Sequence, residues 1–552
     1  MITKAPPPLL VLCGLWAVTV AIALGARPLL PVDETRYLAV AWEMWQRGDF
    51  LVPYLNGETY SHKPPLLFWL MHAGWAVFGV NDWWPRLVAP LFGLAALLLT
   101  RRLGRLLWPE LPAAGDVAAL AALGALYWTL FTTMTMFDML HGCFAVAGMI
   151  GLVMAARGRR VGGFVVFGLA VGFGVLGKGP AILVHLLPVA LAAPLWLPCL
   201  DGGAASGPVR WGRWYAGLGA GVVLGAVIGL AWALPAAAAG GAAYRDAILW
   251  GQSAGRMVNS FAHGRPFWWF AAILPVMVLP WLVWPAAWRA AQRVGRDMTG
   301  DGGSRLALIW FAAAFLAFSA ISGKQPHYLV PEFPALALLL ARAVVGAAPV
   351  SGDRQAFWRP ADRWIPAAVA LILAGALAAA FHFDLKPSWA TSVGDAQIWP
   401  LAVVAVATVV YWLWPGAGAV SRVWRITALS VVLIVSVHLA LRPLMAESHD
   451  FRAFSEELKG FEDQGFDFVT FGKYHGQFQF FGRLTRPFGV VDGPMELEDW
   501  LKRHPKAMIV ALHRVLPEGA APWAVVRFRS RLIGAWPADR YPPRIKRLSG
   551  TD

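Results

Sequence analysis

Charge is scarce in this sequence. Asp, Glu, Lys and Arg make up 14% of 552 residues, whereas a soluble chain of this length carries about 25%. A large water-soluble core is thereby excluded, and a mean hydropathy of +0.55 points to lipid instead. Cysteine is scarcer still. Cys13, Cys143 and Cys199 lie in or beside apolar runs, so neither a disulfide framework nor a zinc cluster is indicated. No internal repeat of roughly 20–50 residues is visible. The basic residues form no aromatic-interleaved stripe, so the formal charge of +15 does not suggest nucleic acid.

What the chain does have is apolar length and tryptophan. Its 30 Trp residues suit membrane interfaces, where Trp is enriched. Apolar stretches recur near 8–27, 84–100, 114–131, 138–156, 162–176, 180–198, 215–236, 267–288, 306–322, 328–346, 365–383, 399–414 and 426–441. The expected fold is therefore a mainly α, polytopic membrane protein with about 13 transmembrane helices. The first run ends in small residues, as a cleaved signal peptide would. It is long enough to span, and a retained first helix is the better reading. Every second connector is Arg-rich: Arg101, Arg102 and Arg105; Arg157, Arg159 and Arg160; Arg210 and Arg213; Arg289, Arg293 and Arg296; Arg354, Arg359 and Arg363; Arg422 and Arg425. The positive-inside rule places these, and the N-terminus, in the cytoplasm.

The opposite connectors are then extracytoplasmic. They include 28–83, 237–266 and everything after about 442. Residues 445–552 change composition: "SHDFRAFSEELKGFEDQGFDFVTFG" reads as an amphipathic helix entering a strand, and "KAMIVALH" and "WAVVRFRSRLIGAW" read as further strands. The expectation is a membrane unit over 1–444 and a small α/β periplasmic domain over 445–552. Residues 501–552 hold eleven Lys or Arg against Glu518, Asp539 and Asp552. That bias suits anionic headgroups, though unspecific surface charge explains it equally well.

The first outer loop is too patterned for a simple connector. "LAVAWEMWQRG" has helical spacing and can lie in the interface, and Lys-Pro-Pro introduces another helix. Asp33, Glu34, Arg36 and Lys63 come from the two ends of this unit. Here the residues carry a resemblance. "DETRYLAVAWEMWQRGDFLVPYLNGETYSHKPPLLFWL", "GQSAGRMVNSFAHGRPFWWF" and "SGKQPHYLVPEFPALALLLA" resemble the lipid A aminoarabinose transferases and their relatives. These are membrane glycosyltransferases of the protein O-mannosyltransferase superfamily, with the GT-C fold. The resemblance runs through most of the first 345 residues.

It implies a reaction in which a sugar passes from a polyprenyl-phosphate carrier to an acceptor on the outer side of the membrane. Cations must meet the charge that develops on the departing phosphate. By similarity these are Lys63 and Arg265, with Arg36 beside them. Snorkelling is the bland alternative for Lys63 and an exposed loop position that for Arg265. Asp33 matches the family's leading carboxylate, which accepts a proton from an acceptor hydroxyl or orients an anionic acceptor. Glu34 is a further catalytic candidate, or simply a partner of Arg36. Asp138, in "TTMTMFDMLHG", is the second carboxylate, because an ionisable group starting an apolar helix is costly; a helix cap is its alternative role. His141, one turn on, reads as a packing residue. Tyr37, His62, Lys178, His263, Lys324, His327 and Tyr328 form a second tier of substrate-binding candidates.

Two features depart from the family pattern. His62 stands where aminoarabinose transferases typically have Glu, so no metal ligand is assigned and no cofactor is implied beyond an open place for a divalent cation. The C-terminal segment offers no motif tied to an acceptor. The expected partners are a polyprenyl-phosphate sugar, membrane lipids, and lipid A or another envelope glycolipid, in a bacterial inner membrane. A protein acceptor is one alternative and a lipid-linked sugar flippase is another. The flippase expects related halves and midplane charges, neither of which the sequence shows.

Overall fold

The computed structural model describes residues 7–203, 209–250, 264–347, 357–385, 396–414, 418–517, 519 and 521–541. Among these, nine helices are long and apolar enough to cross a membrane, and a bent pair adds a tenth. They include α1 (Pro8–Ala26), α4 (Trp83–Leu107), α7 (Phe137–Ala156) and α8 (Arg160–Lys178). The bent pair is α9 (Ile182–Leu191) with Ala193–Leu200, inclined by 56°. Pro194 lacks the N–H that would continue the helix, so the bend falls there. The chain is a multi-pass membrane protein.

Prolines also reshape the apolar stretch expected over 267–288. Pro280 and Pro285 divide it into Trp269–Met277, a short 3-10 turn at Trp281–Val283, and the helix Pro285–Gly300. That last helix holds Arg289, Arg293 and Arg296, which the sequence suggested were a connector. It is amphipathic and buries Ala286, Ala290 and Val294. The stretch at 114–131 is likewise two pieces, α5 (Ala113–Gly124) and α6 (Leu126–Phe131).

Small residues let the spans approach closely. A Cβ on Gly151 of α7 would stand 2.6 Å from the carbonyl oxygen of Gly163 on α8. Side chains larger than hydrogen are therefore excluded where these helices touch, as in other membrane helix contacts.

The first long loop is built, not slack. Helix α2 (Asp33–Arg47) turns Tyr37, Leu38, Val40, Ala41 and Met44 inward. It stops at Gly48, whose φ of +65° gives the left-handed C-terminal turn that glycine permits. A hairpin follows, β1 (Tyr54–Leu55) with β2 (Glu58–Thr59), turned by Asn56 and Gly57, both at positive φ. Helix α3 (Leu66–Phe78) returns beneath α2, where the His72 ring nitrogen meets the Ala41 carbonyl at 2.8 Å.

The C-terminal unit is reached through Gly418–His449, a helix that continues past the boundary expected at 444. Its five strands are β3 (Asp467–Phe471), β4 (Gly489–Val491), β5 (Ala507–His513), β6 (Ala524–Phe528) and β7 (Arg531–Pro537), in the order β4-β3-β5-β7-β6. β3 is parallel to both neighbours, and β7 is antiparallel to β5 and β6. Alternate residues serve opposite faces. Phe468, Met508 and Val510 pack with Phe454 and Leu458 of the helix Arg452–Asp463. Val469, Ile509 and Trp536 pack with Leu497 and Trp500 of the helix Pro494–Arg503. Burial on both faces explains why "AMIVALH" reads as a nearly continuous apolar run. β4 and the helix after it carry too weak a pattern to have been read from sequence.

This unit rests on the first loop. Trp42 and Gln46 of α2 donate to the Leu484 carbonyl at 3.0 and 3.3 Å. Asn56 at the hairpin tip exchanges hydrogen bonds with the backbone of Phe488, at 2.9 and 2.7 Å. Trp75 of α3 stacks on Phe480 at 5.5 Å.

Candidate active site

Asp138 opens α7 and is buried. Its carboxylate pairs with Lys178, the last residue of α8. Lys178 also lies over the Tyr328 ring, 4.9 Å from its centre. Tyr328 and His327 arrive on the 3-10 turn Pro326–Glu332, and His327 stacks on Phe131 at 5.6 Å. Lys63, just before α3, lies over Phe137 at 5.5 Å, next to Asp138. Lys178, the His327 ring and Lys63 all stand within electrostatic reach of Asp138. Four chain segments thus meet at one buried carboxylate.

Asp33 joins from α2. It pairs with Arg36 one turn on, and the Tyr37 hydroxyl lies 3.5 Å from the same oxygen. Its side chain stays about half exposed (51%). Burial, with Asp33 beside it, pushes the Tyr37 hydroxyl well above its usual range, so it remains a donor. Asp138 also acts on Tyr37, and Asp33 on His327. The two carboxylates therefore share one electrostatic neighbourhood, one solvated and one buried. Environments that differ in this way let two like groups take different roles.

Glu34 departs from its expected roles. It pairs with Arg27, not Arg36, and both are buried. One oxygen accepts from Arg27 at 3.0 Å and from the Thr135 N–H at 2.6 Å, and the other from the Leu30 N–H at 2.8 Å. Burial drives the carboxyl pKa up, but Arg27 and these hydrogen bonds outweigh it and hold the group below its ordinary range. A carboxylate so enclosed has no face left for substrate. Its effect is to fix the start of α2, and so Asp33, against the turn that leads into Asp138.

Arg265 is not brought to the carboxylates by any contact among the described residues. It is exposed and lies over Trp269 at 5.7 Å. Its backbone N–H donates to Ser322 at 3.1 Å, and Gly264 pairs with Gly323. Lys324 is buried and donates to the Arg265 carbonyl at 3.0 Å and to Ile321. Lys324 thus fastens the Arg265 strand to the turn preceding His327 and Tyr328, and its ammonium is not presented to a substrate. His62 is exposed beside Tyr60, at 5.3 Å between rings. His263 lies outside the described residues. No three His, Cys, Asp or Glu side chains gather as metal ligands among those described.

The sequence reading missed a second polar group under the site. His185 on α9 pairs with Glu332, and His141 lies edge-on to His185 at 4.9 Å. The signal was there: both His185 and Glu332 interrupt apolar runs, where an ionisable residue is costly. Arg27 carried a similar signal, ending the first run seven residues before Glu34.

Residues 62–200 match the family described as dolichyl-phosphate-mannose-protein mannosyltransferase. An undecaprenyl phosphate-alpha-4-amino-4-deoxy-L-arabinose arabinosyl transferase of Pseudomonas fluorescens Pf0-1 is 30% identical over 344 residues, 60% of this chain and 59% of that protein. The corresponding protein of Pseudomonas aeruginosa UCBPP-PA14 is 33% identical over 59% of this chain and 58% of its own length. The chain thus spans about three-fifths of the length of the curated relatives it matches. The crystal structure of ArnT from Cupriavidus metallidurans bound to undecaprenyl phosphate superposes with a TM-score of 0.72 over 97% of this chain and 99% of that one, at 21% identity. Its apo form gives a TM-score of 0.68 at the same identity, over 97% of this chain and 98% of that one.

The fold is accordingly that of the ArnT crystal structures. Over about three-fifths of its length the chain is also similar in sequence to the aminoarabinose transferases.

Proposed function

We propose that this chain is a glycosyltransferase that moves a sugar, by its likeness an amino-pentose, from a polyprenyl phosphate to lipid A or a related envelope glycolipid. The observation that carries the reading is the meeting of Asp138, Lys178, Lys63 and Asp33 at one end of the bundle, beneath the C-terminal unit. Names of relatives that act on undecaprenyl-phosphate aminoarabinose support the donor class.

In the proposed reaction the bond from the anomeric carbon to the phosphate oxygen breaks. Its electron pair stays on the phosphate, and an acceptor oxygen bonds the anomeric carbon from the opposite face. Lys63 takes the developing phosphate charge, a role that a compact ammonium suits. Lys178 pairs with Asp138 and holds its carboxylate in place, and Tyr328 lies within its reach. Asp33 takes the proton of a hydroxyl acceptor; with a phosphate acceptor it only orients the nucleophile. Residues up to His449 form the transferase unit and those after it the periplasmic one, with the Arg-rich segments and N-terminus cytoplasmic. This orientation requires a reporter fused to the C-terminus to read as periplasmic.

The direct test incubates the full chain with undecaprenyl-phosphate aminoarabinose and lipid A, followed by mass spectrometry. The expected product is lipid A heavier by one amino-pentose. Unchanged lipid A, with the sugar found on protein or nowhere, rejects the acceptor.

A further inference from the structure

The loop that follows β3, "GKYHGQ" at 472–477, belongs to the C-terminal unit yet sits against the helix that carries Asp33. Gly476 is the point of contact. A Cβ there would stand 2.9 Å from the Ala39 methyl on α2 and 2.6 Å from Leu55 in the hairpin, and its φ of +73° also suits glycine. The loop is stiffened from within. Tyr474 is buried and bonds Gln479, and the His475 N–H donates to Gln477 at 3.2 Å.

This anchoring sets His475 within electrostatic reach of Arg36 and Asp33, with Lys473 beside it. Lys473 is exposed and makes no ion pair with any described residue. Asp33 is already matched by Arg36. The seam therefore holds cationic and imidazole groups in excess of carboxylates. Lys63 and Lys178 stand instead next to Asp138.

Resting on the glycosyl-transfer reading, we propose that Lys473 and His475 form the acceptor side of the site, where with Arg36 they bind a phosphate group of the acceptor lipid. A phosphate offers acceptor oxygens to an ammonium, an imidazole N–H and a guanidinium together. Lys63 keeps the donor's phosphate. Burial, then Arg36 and Lys473, hold the His475 pKa below its ordinary value. The ring therefore starts neutral and donates through one N–H.

The test measures binding by the full chain in detergent of three probes: bisphosphorylated lipid A, enzymatically dephosphorylated lipid A, and undecaprenyl phosphate. The wild type is expected to prefer phosphorylated lipid A by about tenfold or more. Lys473→Ala with His475→Ala should abolish that preference and leave undecaprenyl phosphate affinity unchanged. Lys473→Glu, a change at an exposed position, repeats the test should the double variant misfold. Equal binding of the two lipid A forms by the wild type, or a preference that survives in the variants, overturns the proposal. Loss of undecaprenyl phosphate affinity instead would assign the residues to the donor and also overturn it. A wild type that discriminates as expected but transfers no sugar refutes the transferase reading alone.

Discussion

Glu34 and Arg27 form an ion pair with side-chain exposures of 1% and 5%, next to the half-exposed carboxylate of Asp33. The pair joins the end of α1, the start of α2 and the turn before α7. Removing one partner of a buried pair leaves a charge without compensation, at a cost of about 3–5 kcal/mol. Glu34→Gln and Arg27→Ala should each lower thermal stability in detergent accordingly, and the double variant should lose less than the sum. Acid has a defined sign here. The Glu34 pKa is depressed by folding, so its contribution is complete above the ordinary carboxylate range and disappears as pH falls through the depressed value. Thermal scans from pH 6 downward, near the ordinary carboxylate pKa of about 4.3 and below, should show a steeper loss in the wild type than in Glu34→Gln.

The Asp138–Lys178 pair makes a different expectation. Asp138→Asn removes the buried charge while keeping the shape, so the protein should fold and bind undecaprenyl phosphate. Sugar turnover should fall by about 100-fold or more, the scale of a lost acid–base or positioning carboxylate. Lys178→Ala should hurt stability more than Asp138→Asn, because it strands a carboxylate in a buried position. Comparing melting temperatures and single-turnover rates separates the two effects.

Lys63→Ala should weaken binding of undecaprenyl phosphate. A hydrogen bond to a charged group contributes about 1.5–3 kcal/mol, which corresponds to roughly 10- to 150-fold in affinity. Lys63→Arg should recover part of it. Equilibrium binding with fluorescent or radiolabelled carrier lipid checks this, and unchanged affinity removes Lys63 from the donor site.

Gly476→Ala tests the seam between the two units. The added methyl meets Ala39 and Leu55 at 2.9 and 2.6 Å, in a left-handed backbone. Overpacking of this kind costs about 1–3 kcal/mol. Proteolysis should cut the C-terminal unit from the bundle faster in the variant, while the fold of that unit, measured by its own protection from exchange, should persist.

Much of this was legible in the sequence, for identifiable reasons. Membrane helices announce themselves by length and apolarity, so the 13 stretches correspond to the nine long spans, the bent pair, and the shorter apolar helices at Leu66–Phe78, Ala113–Gly124 and Trp399–Leu413 only in part. Leu66–Phe78 lay inside the first loop and was read as a helix start, whereas the stretch at 267–288 was broken by prolines that a hydropathy average smooths over. Asp33 and Lys63 were singled out by the resemblance of their motifs to the family's, and Asp138 also because an ionisable residue opening an apolar helix is costly. The partners of Glu34 and the burial of Lys324 were not legible, since pairing depends on which segments meet in space. Lys473 and His475 were invisible for the same reason: they lie about 440 residues from Asp33, in a segment whose local pattern announces only a strand and a turn.

The most direct test of the account is sugar transfer by Asp33→Asn beside the wild type, using undecaprenyl-phosphate aminoarabinose and lipid A. Because Asp33 is half exposed and its partners Arg36 and Tyr37 sit on the same helix, the variant should keep its melting temperature and its affinity for undecaprenyl phosphate. Turnover reduced by about 100-fold or more on that intact background is the expected result. Wild-type turnover by Asp33→Asn would contradict the account.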